Sequence, residues 1–305
     1  MIQRNLEEVR AAALSTIWGQ WASFWTPASS SHRVRTIIDP EALLLVSLAL
    51  REKEWRLWDA LAWLATEQSK LLSVQRVKRL LPDYSDAVHS AMGEFAFRAV
   101  YDGGDRRWSS LAGSTGGPRS RDEKMETARL ELSEPSTLVL RTRLGMGVGA
   151  KADILAFLIG VDGGWVSAAT IAKATGYSPR AVRRAAEEMA TGGFIEAHRG
   201  NPAEYRVDGE VWAGVLGFSA PPRWRYWSSA WALVGALEGW TGGHQLNALS
   251  PYLLSSQARD LFETHRNAFA ANKIQTSQAE AAKGEDFLNA FAHLLQRFVL
   301  WVRDG

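Results

Sequence analysis

The chain contains no cysteine. Disulfides, thiolate zinc sites, iron–sulfur clusters and thiol nucleophiles are therefore excluded. A dominant charge of one sign is missing too. With 35 Lys and Arg against 33 Asp and Glu, the formal net charge is +2. Any contact with nucleic acid must then come from local clustering of base rather than from bulk attraction. Long hydrophobic runs are also scarce. The longest strongly apolar stretch, 42–50, is about half of what a membrane-spanning helix needs. The opening Met-Ile-Gln-Arg-Asn-Leu-Glu-Glu places acids where a signal peptide would have its apolar region. A cytoplasmic protein with no membrane partner is the expectation.

What is present is an ordinary globular composition, 46% hydrophobic and 22% charged, over 305 residues. That length suits two or three domains. Fourteen tryptophans are unusually many, and side chains this large fill cores or interfaces.

In the first third, Ile2, Leu6, Val9, Ala13, Ile17, Trp21 and Phe24 repeat at helical spacing and predict an amphipathic helix over 1–26. Asp39-Pro40 supplies an N-cap and a first-turn proline for a helix through Leu50. Further helices are predicted near 56–66, 73–81 and 86–101. Residues 102–150 read as a flexible linker, rich in Gly, Ser, Asp and Arg at first (Gly113-Ser114-Thr115-Gly116-Gly117-Pro118). Within it, 136–144 is ambiguous between a strand and a short helix. From Pro221 onward, helices are predicted near 227–240, 251–271 and 285–302. The flanks thus read as an N-terminal helical domain (1–101) and a C-terminal one (221–305).

The centre, 151–208, carries the most specific pattern. A short apolar helix bears Ile154, Leu155, Leu158 and Ile159, and Gly163-Gly164-Trp165-Val166 is short enough for a small strand. Ser167 caps a helix over 168–175, Gly176 supplies a tight turn, and Ser178-Pro179 opens a third helix to about Ala190. On that helix, at about 100° per residue, Arg183 and Arg184 fall within roughly 60° of Arg180. Val182, Ala185 and Met189 occupy the opposite side. A helix that packs on its neighbours and also lies in a major groove needs this division. Arginine offers a planar donor fork that pairs bidentately with guanine or grips a phosphate. Ser178 and the first-turn amides add donors at a positive helix end. Glu187 shares the arginine face and would repel phosphate. The whole segment carries seven basic and seven acidic residues. Beyond Gly192-Gly193, two short strands flank a Gly200-Asn201-Pro202 turn and form a hairpin with Arg199 at its tip and Arg206 on its second strand.

The run Ala-Lys-Ala-Thr-Gly-Tyr-Ser-Pro-Arg-Ala-Val-Arg-Arg, followed by Gly-Gly-Phe-Ile and the Gly-Asn-Pro turn, resembles the winged helix-turn-helix regulators of the MarR and ArsR type. The resemblance covers about 60 residues, as an order of helices and wing, and does not extend to the flanks. It implies a DNA-reading module, often in a dimer, and identifies no effector.

Other constellations point away from chemistry. Gly145-Met-Gly-Val-Gly-Ala-Lys151 lacks the spacing of a dinucleotide fingerprint. It also lacks the Gly-Lys-Ser/Thr order of a phosphate loop, so a hinge or helix entry is expected there. The six histidines form no pair with metal-ligand spacing. Gln75, Arg76, Lys78 and Arg79 allow either a second DNA-contacting helix or a solvated basic face, and the latter is preferred.

The expected fold is therefore mainly α, a central winged helix-turn-helix with a small β-hairpin wing between helical flanks. The expected function is a sequence-specific regulator of transcription that binds double-stranded DNA as a homodimeric repressor, subject to an unknown small-molecule or protein effector. It is not an enzyme and has no cofactor or metal. Its candidate DNA contacts are Ser178, Arg180, Arg183, Arg184, Arg199, Asn201 and Arg206. The alternative is an adaptor or antitoxin-like subunit that docks the winged helix on a partner enzyme. Dimerisation is expected to draw on Trp18, Trp21 and Trp25 of the first helix and on Phe287, Phe291, Leu294, Leu295, Phe298 and Trp301 of the last. The competing arrangement packs those two faces on each other within one chain.

Overall fold

The structure is a computed structural model of the 305-residue chain; it describes residues 2–305 apart from 26–27, 29, 31–33, 116–127, 162, 199, 244–248 and 285. The first third forms α1 (Ile2–Ala22), α2 (Pro40–Leu50), α3 (Leu57–Trp63), α4 (Val74–Leu80) and α5 (Asp86–Tyr101). Helix α2 begins where its sequence says it should. Asp39 accepts the Ala42 N–H at 3.1 Å and Pro40 occupies the first turn. This helix is apolar on all sides, so it is stable only when surrounded. It is enclosed: Leu43, Leu44, Leu45, Val46 and Leu48 are all buried.

The region read as a linker is built in part. Trp108 is fully buried on a short helical turn, edge-on to Phe95 with ring centroids 5.2 Å apart. The ambiguous 136–144 stretch is helical, α6 (Leu138–Met146). Burial of Leu138, Val139 and Leu140 overrides the strand-like composition of Leu-Val-Leu. Gly116-Gly117-Pro118 of the glycine-rich stretch lie outside the described residues.

After α6 come α7 (Ala150–Gly160), β1 (Val166–Ser167), α8 (Ala168–Thr175), α9 (Pro179–Thr191), β2 (Glu196–His198), β3 (Glu204–Arg206) and α10 (Gly209–Val215). The three strands pair antiparallel in the order β1-β3-β2, with Tyr205 opposite both Val166 and Ala197. The remainder is α11 (Trp227–Gly243), α12 (Pro251–Thr264), α13 (Arg266–Ala270), α14 (Ser277–Ala281) and α15 (Asp286–Arg303). No helix among the described residues is long and apolar enough to cross a membrane.

Buried side chains fall into two clusters. One joins α1 to α5 with α11 to α15, so helices from both ends of the chain share a core. The other fills the winged helix and takes in Ile37, Leu138 and Val139. Helix α1 lies against α15, where the Asn5 side chain donates to the Ala292 carbonyl (3.1 Å) and the Thr16 hydroxyl to the Val302 carbonyl (3.0 Å). The aromatic faces expected between two copies are therefore occupied within one chain. Trp21 is fully buried and donates to the Ser47 hydroxyl at 3.1 Å. Phe287, Phe291, Leu294, Leu295 and Phe298 are buried as well. Trp301 packs on Trp227 with ring centroids 4.9 Å apart, and Arg56 lies over Trp18.

Between the two clusters lies a buried charge network. Arg76 on α4 grips Asp39 in a fork, at 2.8 and 2.5 Å, and reaches Glu41 at 2.7 Å. Arg143 on α6 bonds the other side of Glu41 (2.6 Å) and forks onto Asp153 of α7 (2.7 and 2.8 Å). The Leu71 carbonyl accepts from Arg143, and the Ser73 N–H donates to Glu41. All five charged side chains are buried. Three carboxylates face two guanidiniums, and the backbone N–H groups of Ala42 and Ser73 help to balance the excess negative charge. The solvated basic face preferred for α4 is thus corrected at Arg76, whose carboxylate partners come from α2, about 35 residues earlier in the chain. Burial opposes ionisation of Glu41, but Arg143 and Arg76 outweigh it and hold its carboxyl below the ordinary value of 4.5.

Glu41 is the one carboxylate of the network that both guanidiniums share, so Glu41→Gln breaks two buried ion pairs at once and is expected to cost about 3–5 kcal/mol. Because the folded-state pKa of Glu41 is depressed, its contribution is complete above pH 4.5 and is lost as pH falls through the lower folded value. Thermal melts along the acid range should show a steeper loss in the wild type than in Glu41→Gln. Equal melting temperatures at neutral pH would dismiss the network as a stabilising element.

Candidate nucleic-acid interface

The helix-turn-helix is assembled by local rules. The Ser167 hydroxyl accepts the Thr170 N–H (3.2 Å) and starts α8. Gly176 ends it at φ +76°, a left-handed conformation that glycine adopts without a steric penalty, and its N–H donates to the Ala172 carbonyl at 2.9 Å. The Ser178 hydroxyl accepts the Ala181 N–H at 3.2 Å and Pro179 begins α9. Caught between cap and turn, Tyr177 donates its hydroxyl to Asp153 at 3.0 Å. Burial first, then the charge of Asp153, pushes that hydroxyl's pKa well above the ordinary tyrosine value, so it stays a donor. The buried network therefore ends one residue before the cap of α9.

Helix α9 has the two faces its sequence predicts. Val182, Ala185, Ala186 and Met189 are buried in the second core, while Arg180, Arg183 and Arg184 are exposed. The two glutamates of this helix lie in different surroundings. Glu188 is engaged by Lys151 of α7 at 2.8 Å, with Arg184 also nearby. Lys151, the lysine of the glycine-rich Gly145–Lys151 stretch, is thereby occupied. Glu187 and Arg183 both lie near Tyr205, whose hydroxyl pKa is raised by burial and by Glu187 and lowered by Arg183. Arg183 therefore sits on the side of α9 that faces the wing.

In the wing, β2 and β3 bring Glu196 opposite Arg206, and the pair closes at 2.8 Å. Arg206 also lies 4.6 Å over the ring of Trp165. It is thus partly engaged as a strand-pairing and cation–π group, where the sequence suggested a DNA contact. Asn201 is exposed at the turn, and Arg199 lies outside the described residues. The structure brings Ser178, Arg180, Arg183 and Arg184 together on one helix, with Asn201 and Arg206 on the adjacent hairpin.

Sequence reasoning missed one contributor and set another aside. Helix α10 is started by Asp208, which accepts the Val211 N–H at 3.0 Å, and buries Ala213 in the winged-helix core; the Asp-Gly-Glu start was its signal. The other is α4. Arg79 donates to the Gly176 carbonyl, and the Arg76 side chain lies under the same glycine. No spacing in the sequence links 76 and 79 to 176.

Residues 155–213 match the family described as winged helix-turn helix. The match takes in the second half of α7, all of α8 and α9 and the wing, and runs past Asp208 into α10. The central region is therefore a winged helix-turn-helix. Neither a curated protein nor a solved structure shows significant similarity to the chain.

A Cβ added at Gly176 would be forced into a left-handed backbone, 3.4 Å from Arg76 Nε. Gly176→Ala is expected to lose about 1–2 kcal/mol in urea denaturation. No loss would mean that the turn can relax to another backbone conformation.

Proposed function

We propose that this protein is a sequence-specific regulator of transcription that binds double-stranded DNA through α9. One observation carries the proposal: three exposed arginines within five residues at the start of a helix whose opposite face is anchored in a core. This is the construction a helix needs to enter a major groove while remaining attached to its domain. Ser178, the cap of α9, and Arg180 and Arg183 on the helix itself are the first to meet the bases and phosphates. Arg184 adds charge behind them, and Asn201 offers a contact from the wing.

The finer parts of the proposal are that the protein is a cytoplasmic repressor and that it acts as a homodimer. One winged helix covers a short site, and two half-sites supply the missing specificity. The terminal helices are used within the chain, so such a dimer must form elsewhere. Catalysis, a metal and a cofactor play no part in the proposal.

An adaptor role is the second reading, favoured by the equal number of acids and bases in 151–208 and by exposed Phe194 and Val211 near the wing. A gel shift on DNA from upstream of the protein's own gene, in low and raised salt, separates the two. DNA binding weakens steeply with salt, whereas an adaptor shows no shift.

Arg180→Ala and Arg183→Ala are each expected to cost about 1–3 kcal/mol of affinity and to relax preference at one or two base pairs. Affinity unchanged in both variants would remove α9 as the reading helix.

A further inference from the structure

We infer that α4, a helix of the N-terminal bundle, is a second DNA-contacting element: its exposed basic face grips the phosphate backbone beside the groove that α9 enters. The inference rests on the proposed DNA binding.

Position comes first. Arg79 donates to the Gly176 carbonyl and Arg76 packs beneath Gly176, two residues before the Ser178 cap of α9. The start of α4's last turn is therefore at the start of the reading helix. A major groove is about 12 Å wide, so an element touching the N-terminus of a helix seated there faces the phosphates at the groove's edge.

Chemistry comes second. Gln75, Lys78 and Arg79 stand at i, i+3 and i+4, which places them on one face, and all three are exposed. Helix α4 contains no acid. Lys78 has no carboxylate partner among the described residues, and neither does Lys173, exposed on the last turn of α8 three residues before Gly176. Arg79 uses one of its five N–H donors on the turn and keeps the others. A surface with donors and positive charge and no acid of its own fits phosphodiester oxygens.

Rigidity and charge balance come third. Helix α4 is fixed to α2, α6 and α7 through Arg76 and the buried network, so its basic face is held in a set position relative to α9 before any DNA arrives. Preorganised contacts lose less entropy on binding. The winged helix itself, with seven bases and seven acids, offers little net charge to a polyanion. Cations from outside the module, at the right place, supply the attraction it lacks.

The test uses the full chain with two probes, the upstream DNA fragment and a random-sequence duplex of equal length. Affinities of the wild type, Lys78→Ala, Lys78→Glu and Lys78→Ala with Lys173→Ala are measured between 50 and 200 mM salt. Each phosphate contact removed is expected to flatten the log–log salt slope by about 0.9, so the affinity lost over this range shrinks roughly three- to four-fold per contact. The weakening should be equal on both probes with base preference intact, unlike that of Arg180→Ala. Lys78 is exposed and takes part in no network among the described residues, so unchanged melting temperatures are expected. If the wild type binds and Lys78→Glu matches it in affinity and slope, α4 is not a contact and the DNA-binding proposal stands. If the wild type binds neither probe, DNA binding fails and the inference fails with it.

Discussion

Five buried charges on four helices set the geometry of this protein. Charges taken out of water are tolerated only when their partners are close and well oriented. Asp39, Glu41, Arg76, Arg143 and Asp153 meet that condition with contacts between 2.5 and 3.1 Å. A hydrophobic interface would let the winged helix slide or rotate on the bundle at little cost. Forked guanidinium–carboxylate pairs fix both distance and plane, so the orientation of α7, and through Tyr177 the start of α9, is set from the N-terminal bundle.

This arrangement divides the labour among the arginines. Arg76 and Arg143 are buried and hold the module in place. Arg206 is partly engaged in holding the wing together. Arg180, Arg183 and Arg184 keep their donors in solvent. The same residue type serves all three roles because the guanidinium stays charged when buried, stacks on an indole and still forks onto an acceptor.

Much of the winged helix was legible in the sequence because its determinants are local. Ser167, Gly176 and Ser178-Pro179 act within a few residues of themselves, and the two-faced pattern of α9 is a matter of helical period. Helices α2 and α5 were legible for the same reason. The charge network was not, since Glu41 and Arg143 lie 102 residues apart and each looks like an ordinary surface charge in its own window. Asp39 showed only its capping role. Trp108 was hidden in a stretch whose Gly, Ser and Arg content reads as loop, and its burial depends on Phe95 from another element. The tryptophans of α1 and the aromatic face of α15 were rightly marked as surfaces needing a partner. Sequence could not say that those partners come from the same chain, Ser47 and Trp63 for the tryptophans of α1 and Trp227, Phe262 and Phe269 for the aromatic face of α15.

The contact of α1 with α15 bears on how the chain is made. Helix α1 leaves the ribosome well before α15, and the face of α1 that carries Asn5 and Thr16 meets α15 only once that helix has been made. The winged helix closes its core mostly from within a contiguous stretch near the middle of the chain, so it can form while the C-terminal helices are still being synthesised. Through that interval the face of α1 that packs on α15 is uncovered, and it is open to chaperones and to aggregation.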